Sequence, residues 1–500
     1  MIGTLNGYSS SVMMNVLKNN SSLMQDLTIQ LSTGKKAQTY GGLGRDAGVA
    51  LDFRAQINAV EGYQTSIQQA QLQISMMNLG LERIVDMGAE VSGSASGTEY
   101  DITSNNKSVA QTTAATLVKE MIGILNTEVD GDFVFSGRTT DVVPAISYDR
   151  IVYGYAGEDG LLTVTDERIR ADAGADGLGR LDVTSAGTTM TLSEEVTDFG
   201  YKLSAVTSTL DNVTVTGPTG SPPTIDVDVT GVPEANQILS FTFDLPDGST
   251  EVIELTAKTG SSDAGDGAFS ITGTPTDIAT SIRDMLAFQL SKNVSTAGEA
   301  ASRIQGSLDF YMTAANGEPM RVVGTPETAT TLDTATAASK PTVSWYVGDN
   351  DASVSARDTA KVQIDNRIDV SYGARANEDS IARQLAYMTA LSLPTYDQDS
   401  DVDKGRYTAF ADAISAGLSS VRQGDVVKTT LTEIGVASKV MDDADSRHST
   451  SLGMLLTALE EKEGIDDEEV AAKIMTIKTT IEASYQAAAM MYDLSLTKFI

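Results

Sequence analysis

The stretch that decides the fold is 53-FRAQINAVEGYQTSIQQAQLQISMMNLGLERIVDMGAEV-91. Apolar residues recur in it at every seventh position, and a second apolar set follows three residues after most of the first. The first set is Phe53, Val60, Ile67, Ile74 and Leu81. This heptad pattern predicts one long helix that buries a single seam, as in a coiled coil. At 1.5 Å per residue the helix would be about 58 Å long.

Apolar stripes at helical spacing also occupy both ends of the chain. We predict that the C-terminal half of the helical shaft packs through Leu431, Ile434, Met441, Leu452 and Leu455. Shorter stripes flank the two long helices, and we predict that they form inner helices. Their assembly residues are Val12, Val16, Leu23, Leu27, Leu31, Val470, Ile474, Ile477, Ile481, Met491, Leu494, Leu496 and Phe499. This mirrored order predicts that the ends meet, short helix with short and long with long.

The middle of the chain has a different composition. Ten of the eleven prolines lie between about residues 145 and 403, among many Gly, Thr and Asp residues. Alternating runs at 225–231, 251–257 and 362–373 predict half-buried strands, and helical pieces are predicted at 276–291 and 378–391. The predicted fold class is α+β, a coiled-coil helical bundle formed by both chain ends with one or two inserted β-rich domains. The predicted segments are 1–40 (inner helix), 41–145 (shaft), 146–403 (β-rich outer region), 404–464 (shaft) and 465–500 (inner helix).

Composition excludes several classes of function. A net charge of -33 argues against nucleic-acid binding, which needs a basic surface. The chain has no cysteine and one histidine, so thiolate metal sites, disulfides and multi-histidine sites are excluded. We expect no membrane insertion, because there is no apolar run of about 18 residues. The N-terminus lacks the basic start and cleavage site of a signal peptide.

A glycine-rich stretch at 41–48 resembles a dinucleotide-binding fingerprint. That fingerprint needs a buried strand before it, whereas an amphipathic helical stripe precedes this one. We therefore expect the glycines to form a bend or hinge between two helices, because glycine permits backbone angles that other residues resist. The hinge residues are Gly41, Gly42, Gly44 and Gly48.

No motif predicts a catalytic, cofactor or metal site. The acidic run 397–405 lacks the turn glycine and the closing glutamate of a calcium loop. His448 follows a cluster of aspartates but lies on the apolar register of its helix, which predicts packing rather than metal binding. We predict that the protein is not an enzyme and needs no cofactor. A carboxylate-only enzyme in the middle region, such as a glycosidase, stays open.

Three short segments resemble one protein family. The segment 31-LSTGKK-36 is similar to the LSTGKR/K segment of bacterial flagellins and hook-associated proteins. The segment 133-FVFSGRTTD-141 resembles the F-x-F-S-G segment at the end of that family's N-terminal helical region. The segment 481–500 resembles its terminal helix. The resemblance covers about residues 1–145 and 405–500, with the segments in the family's order.

The resemblance implies a structural subunit that self-assembles through both terminal helices into the bacterial flagellar filament, for swimming motility. Its partners would be copies of itself in a helical homopolymer, the hook-junction and cap proteins, and the flagellar export apparatus with an export chaperone. It would be secreted unfolded to an extracellular flagellum, with the middle region facing solvent. Lys35 and Lys36 would lie at a helix C-terminus, where positive charge suits the helix dipole.

Two alternatives stay open. The C-terminal SLTKFI is closer to the ending of the hook–filament junction protein than to that of many flagellins. The 500-residue length and the large middle region suit a filament surface, and we favour flagellin. The alternative from another class is a secreted carbohydrate-binding or adhesive protein whose middle region carries the function.

Overall fold

A computed structural model describes residues 3–97, 100–103, 105–315, 317–424 and 426–496. Side chains are described for all of these except 3–10, 426–427 and 491–496. The protein is a mixed α and β structure with long terminal helices and central sheets, as the composition and periodicity predict. It divides into two compact units. Unit 1 comprises 1–69, 363–369 and 439–500, and unit 2 comprises 70–362 and 370–438.

Helices dominate both chain ends. In the described residues they are α1 Gly3–Thr33, α2 Asp46–Gly97, α3 Val109–Leu125, α4 Tyr148–Tyr153, α5 Leu161–Ala173, α6 Pro275–Asn293, α7 Glu299–Tyr311, α8 Asp379–Ser392, α9 Asp401–Gln423, α10 Val426–Glu463 and α11 Asp467–Leu496. The heptad stretch thus lies within α2, which extends beyond it at both ends. The acidic break around Gly464 separates α10 from α11.

Strands lie in the middle of the chain and in short hairpins. They are β1 Glu128–Val129, β2 Asp132–Phe133, β3 Leu181–Ala186, β4 Thr189–Glu194, β5 Lys202–Ser208, β6 Val213–Thr219, β7 Thr224–Val229, β8 Ile238–Asp244, β9 Thr250–Lys258, β10 Ala268–Ser270, β11 Met320–Val322, β12 Leu332–Thr334, β13 Lys361–Asp365 and β14 Ile368–Ser371. Two four-stranded sheets have the orders β3-β4-β7-β6 and β10-β9-β8-β5.

Unit 1 pairs the chain ends as the mirrored stripes predict. The short helix α1 packs along the short helix α11. The part of α2 in this unit meets α10, because Gln64 Nε2 donates to Asp445 Oδ1 and Ser449 Oγ, each at 3.0 Å. Arg54, earlier in α2, bonds to Glu463 at the end of α10. The two long helices therefore run antiparallel in this unit.

The two large sheets of unit 2 share a hydrophobic core. The alternation of β7 and β8 places side chains on that core, with Ile225, Val227, Phe241 and Phe243 fully buried. Helix α6 packs on the same core; at its start Thr274 and Asp277 form a reciprocal capping box, which satisfies free backbone donors. Helices α3, α5, α7, α8 and α9 pack on one another in the remainder of this unit.

The middle region contains more helix than its composition suggests. Helices α4, α5 and α7 lie within 146–403 in addition to α6 and α8, which match the helical pieces predicted at 276–291 and 378–391. The run 362–373, predicted as a strand, is instead the hairpin β13–β14, which turns at Asn366 and Arg367. Arg367 has φ of 62°, a left-handed conformation that no glycine or proline signals there. The segment boundaries of the sequence analysis stay predictions.

Candidate assembly surface and its junction

The terminal helix pair, α1 with α11, has one covered face on each helix. On α1, Leu27 is buried and Met13, Leu17 and Met24 are half-buried. On α11 the covered residues recur at spacings of three and four, as expected for one helix face. They are Val470, which is buried, and Ile474, Ile477, Ile481, Ser484 and Ala488, which are half-buried. The pair is thus held by apolar packing along most of its length.

The predicted assembly residues fall into three groups. On α11, Val470, Ile474, Ile477 and Ile481 lie on the covered face. On α1 only Leu27 does, whereas four others are exposed: Val12 55%, Val16 46%, Leu23 48% and Leu31 40%. Met491, Leu494 and Leu496 lie on α11 with side chains that are not described, and Phe499 lies outside the described residues. Four of the five predicted residues of α1 therefore lie outside the face that is covered in the single chain.

Helix α11 also has a second face, which the described part of the chain leaves uncovered. Six uncharged residues are exposed there at spacings of three and four, namely Ala472, Met475, Thr479, Ala483, Ala487 and Met490. Met475 and Met490 are 71% and 62% exposed. A helix with apolar residues on two faces is typical of one that packs on both sides.

The terminal helix pair is also poor in charge. Helix α1 has 31 residues, of which only Lys18 and Asp26 are charged. Between residues 474 and 490 of α11, the only charged residues are Lys478 and Glu482. Because the whole chain has a net charge of -33, copies of it repel one another. That repulsion is weakest where two copies meet through this surface. Exposed apolar groups in such a setting are typical of association surfaces.

A bonded junction connects the terminal helix pair to the long helices. Gly34 follows the end of α1 with φ of 66°, the left-handed conformation that commonly ends a helix. Beyond it, Lys36 N donates to Glu463 O at 2.7 Å, and Ile465 N donates to Gly34 O at 3.1 Å. The two chain crossings, 34–36 and 463–465, therefore bond to each other as a short antiparallel bridge.

Side chains reinforce this junction. Lys36 Nζ donates to Glu461 O at 2.8 Å and to Lys462 O at 3.2 Å. Lys36 therefore lies at a helix C-terminus, as predicted, and its ammonium group binds carbonyls at the end of α10. Free carbonyls at a helix end need such donors.

An ion pair completes the junction. Arg54 donates to the Glu463 carboxylate twice, from Nε at 3.0 Å and from Nη2 at 2.6 Å. Lys35 Nζ lies 3.8 Å from the same carboxylate. The hydrogen bonds from Arg54 lower the pKa of Glu463. Glu463 and Arg54 are 409 positions apart, so no local sequence pattern could have found this pair.

The predicted hinge glycines occupy several different settings. Gly41 and Gly42 lie in a 3₁₀ turn, Tyr40–Leu43, and Gly48 lies inside the first turns of α2. Of the four, Gly44 alone has a positive φ, at 59°. A Cβ on Gly42 would lie 2.6 Å from the Ala37 Cβ, so this turn is closely packed. The crossing between helices is therefore made by bonded and packed backbone, not by four free glycines.

The predicted shaft residues are all at least half-buried. Ile67, Ile74, Leu81, Ile434 and Met441 are at most 1% exposed. Phe53, Val60, Leu431, Leu452 and Leu455 are half-buried.

His448 lies in the seam that its register predicts. It is buried, stacks on Tyr63 with ring centroids 5.6 Å apart, and its Nε2 lies 2.7 Å from Ile364 O. Because a carbonyl only accepts, Nε2 carries the proton and donates it. This accounts for His448 as a packing residue.

The family-like segment 133–141 is bonded to a distant part of unit 2. Gly137 N donates to Ala374 O at 3.2 Å, and Ala376 N donates to Phe135 O at 2.9 Å. Arg138 pairs with Asp349, which also accepts from Arg375.

Buried carboxylates of the middle region are paired with guanidinium groups. Arg168 bonds to Asp172 at 2.8 Å and to Asp309 at 2.6 Å. Burial raises the pKa of Asp309, while Arg168 opposes that rise. These pairs join α5 to α7, and Asp172 also accepts from Gly200 N. Ion pairs of this kind position helices, and no separate observation gives them a catalytic role.

Two further observations apply to the described residues. Their His, Asp and Glu side chains form no group of three or more that could hold a metal ion. None of their helices combines the length and apolar character needed to span a bilayer. In comparisons with known proteins, no protein-family model matches the chain, and no curated protein matches it either.

Proposed function

We propose that this protein is a flagellin, the structural subunit that polymerises through its N- and C-terminal helices into the bacterial flagellar filament. The observation that carries the proposal is the terminal helix pair. Helix α1 and residues 474–490 of α11 carry few charges, and the pair leaves Val12, Val16 and Leu23 on α1 exposed together with the second face of α11. Other copies of the chain would cover these apolar groups.

The positions of the family-like segments support the same proposal. The segment 31–36 provides the end of α1 and the bridge to α10, and 133–141 provides the bonded loop that holds Arg138. Both of these short motifs therefore have a definite structural role. In the proposed filament, α2 and α10 form the coiled-coil part of a helical bundle, and the two large sheets belong to the outer region.

The proposal includes the setting of the protein. The chain would leave the cell through the flagellar export apparatus with an export chaperone, and would meet hook-junction and cap proteins in an extracellular flagellum. The hook–filament junction protein is the alternative within the same family, suggested by the SLTKFI ending. Counting copies in isolated flagella separates the two, because a filament subunit is present in great excess over one helical turn.

The direct test is electron microscopy of the purified chain. We expect the full chain to form long tubes, and chains lacking 1–33 or 465–500 to remain monomeric with the circular dichroism of folded unit 2. A truncated chain that still formed tubes would contradict assembly through the terminal helices. Full-length protein that remained monomeric in the presence of preformed filament fragments would contradict the proposal as a whole.

A further inference from the structure

The junction contains more bonds than two simple chain crossings require. Two backbone hydrogen bonds join 34–36 to 463–465, and Lys36 Nζ adds two more to the last turn of α10. On the α1 side, Gln30 Nε2 donates to Lys36 O at 2.8 Å. The bonds therefore connect α1, α10 and the start of α11 into one structure.

Glu463 lies at the centre of this structure in an electrostatically unfavourable place. It is the last residue of α10, where the helix dipole disfavours a negative charge, and the last turn also contains Glu460, Glu461 and one cation, Lys462. Its side chain is only 9% exposed, whereas those of Arg54 and Lys35 are 39% and 50% exposed. A carboxylate in that position is stable only while its cations remain in contact with it.

We propose that the Glu463–Arg54 pair is a latch that fixes the direction in which the terminal helix pair leaves the long helices. Arg54 belongs to α2 and Glu463 to α10. The backbone bridge beside them, between 34–36 and 463–465, lies just after the end of α1 and just before the start of α11. When the pair is closed, the single chain holds its association surface in one orientation. When the pair is open, the two chain crossings, 34–36 and 463–465, act as flexible linkers. The latch is a property of the monomer, and only its use in assembly rests on the proposed function.

Trypsin cleavage sites that are already present in the chain can test the latch. Lys35, Lys36 and Arg45 are trypsin sites at the junction, and Lys258 in β9 is a site remote from it in sequence. Cleavage of a folded protein at such sites follows the population of the open form. The variants are Glu463→Gln and Arg54→Gln, with Glu461→Gln as the control that removes a neighbouring exposed charge.

The latch predicts about tenfold faster cleavage after Lys35, Lys36 and Arg45 in each single variant, as for loss of a bidentate charged pair. Cleavage after Lys258 should not change, and Glu461→Gln should behave as the parent. Parent-like cleavage in Glu463→Gln or equal acceleration in Glu461→Gln would overturn the latch. A chain that shows the latch but never polymerises would overturn only the proposed function.

Discussion

Arg138 donates two parallel hydrogen bonds to Asp349, from Nε to Oδ2 at 2.8 Å and from Nη2 to Oδ1 at 3.0 Å. Arg375, whose side chain is 8% exposed, donates to the same Oδ2 from Nη2 at 2.9 Å. One carboxylate therefore joins the loop after β2 to the segment before α8, across more than 200 positions of sequence. Bidentate pairs of this kind are the strong ones among charged hydrogen bonds.

Replacement of Asp349 should destabilise unit 2. Asp349→Asn leaves the buried Arg375 guanidinium without its counter-charge, which costs about 3 kcal/mol of unfolding free energy. Chemical denaturation followed by circular dichroism measures the loss. Asp351→Asn is the matched control, because Asp351 is 40% exposed and also binds Arg138. It should change stability little, and equal losses in the two variants would contradict the assigned role of Asp349.

Acid should weaken the protein partly through the same carboxylate. The hydrogen bonds from Arg138 hold the pKa of Asp349 well below its usual range, as Arg54 lowers that of Glu463. These carboxyl groups bind fewer protons in the folded protein than in the unfolded chain. Their contribution to the free energy of unfolding is therefore complete above the unfolded pKa, near 4, and is lost as the pH falls through the folded-state pKa. Asp309 acts in the opposite direction, because burial raises its pKa.

The measurement for this acid dependence is a series of unfolding midpoints between about pH 5 and pH 2. The parent should lose stability across that range, and Asp349→Asn should show a flatter profile because the titrating group is gone. If the two profiles ran parallel, Asp349 would not be a source of the acid sensitivity.

The long helices could be predicted from sequence because their seams are regular. The heptads of α2 allow only one buried face, and all ten predicted shaft residues are at least half-buried. The register of α1 could not be fixed in this way. Met13, Met14, Leu17 and Met24 add apolar groups around the helix, so several faces satisfy the same spacing rule. Only its contact with α11 selects one face.

The junction lies beyond the reach of local sequence patterns for a different reason. Glycine spacing predicts a change of direction at residues 41–48. The bonds that determine that change come from Glu461, Lys462 and Glu463, more than 400 positions away. Likewise, the turn at Asn366 and Arg367 uses a left-handed arginine, which composition rules do not anticipate.

Alanine substitutions should distinguish the glycines of the predicted hinge. Gly48 lies within α2 with open space around its Cβ position, so Gly48→Ala should raise stability by about 0.5–1 kcal/mol through helix propensity. Gly44 has φ of 59°, so Gly44→Ala should lower it by about 1 kcal/mol. Chemical denaturation checks both signs. A flexible hinge at 41–48 would instead make the two variants similar, with little effect on folding.

Charge placed on the exposed face of α1 should block assembly without unfolding the monomer. Val16 and Leu23 are 46% and 48% exposed, so Val16→Asp and Leu23→Asp should leave the unfolding free energy within about 0.5 kcal/mol of the parent. In a polymer these carboxylates would be buried without partners, which is strongly unfavourable. Sedimentation and electron microscopy should therefore find monomers only.

Two further variants make this experiment specific to the α1 surface. Val196→Asp adds the same charge at a residue that is 78% exposed between β4 and β5, and it should polymerise like the parent. Ile477→Asp places the charge on the covered face of α11, so it should lower both assembly and the melting temperature of the monomer. Normal tubes from Val16→Asp and Leu23→Asp would show that the exposed face of α1 is not an assembly surface. Failure of Val196→Asp would assign the effect to added charge in general, because a chain of net charge -33 already repels its copies.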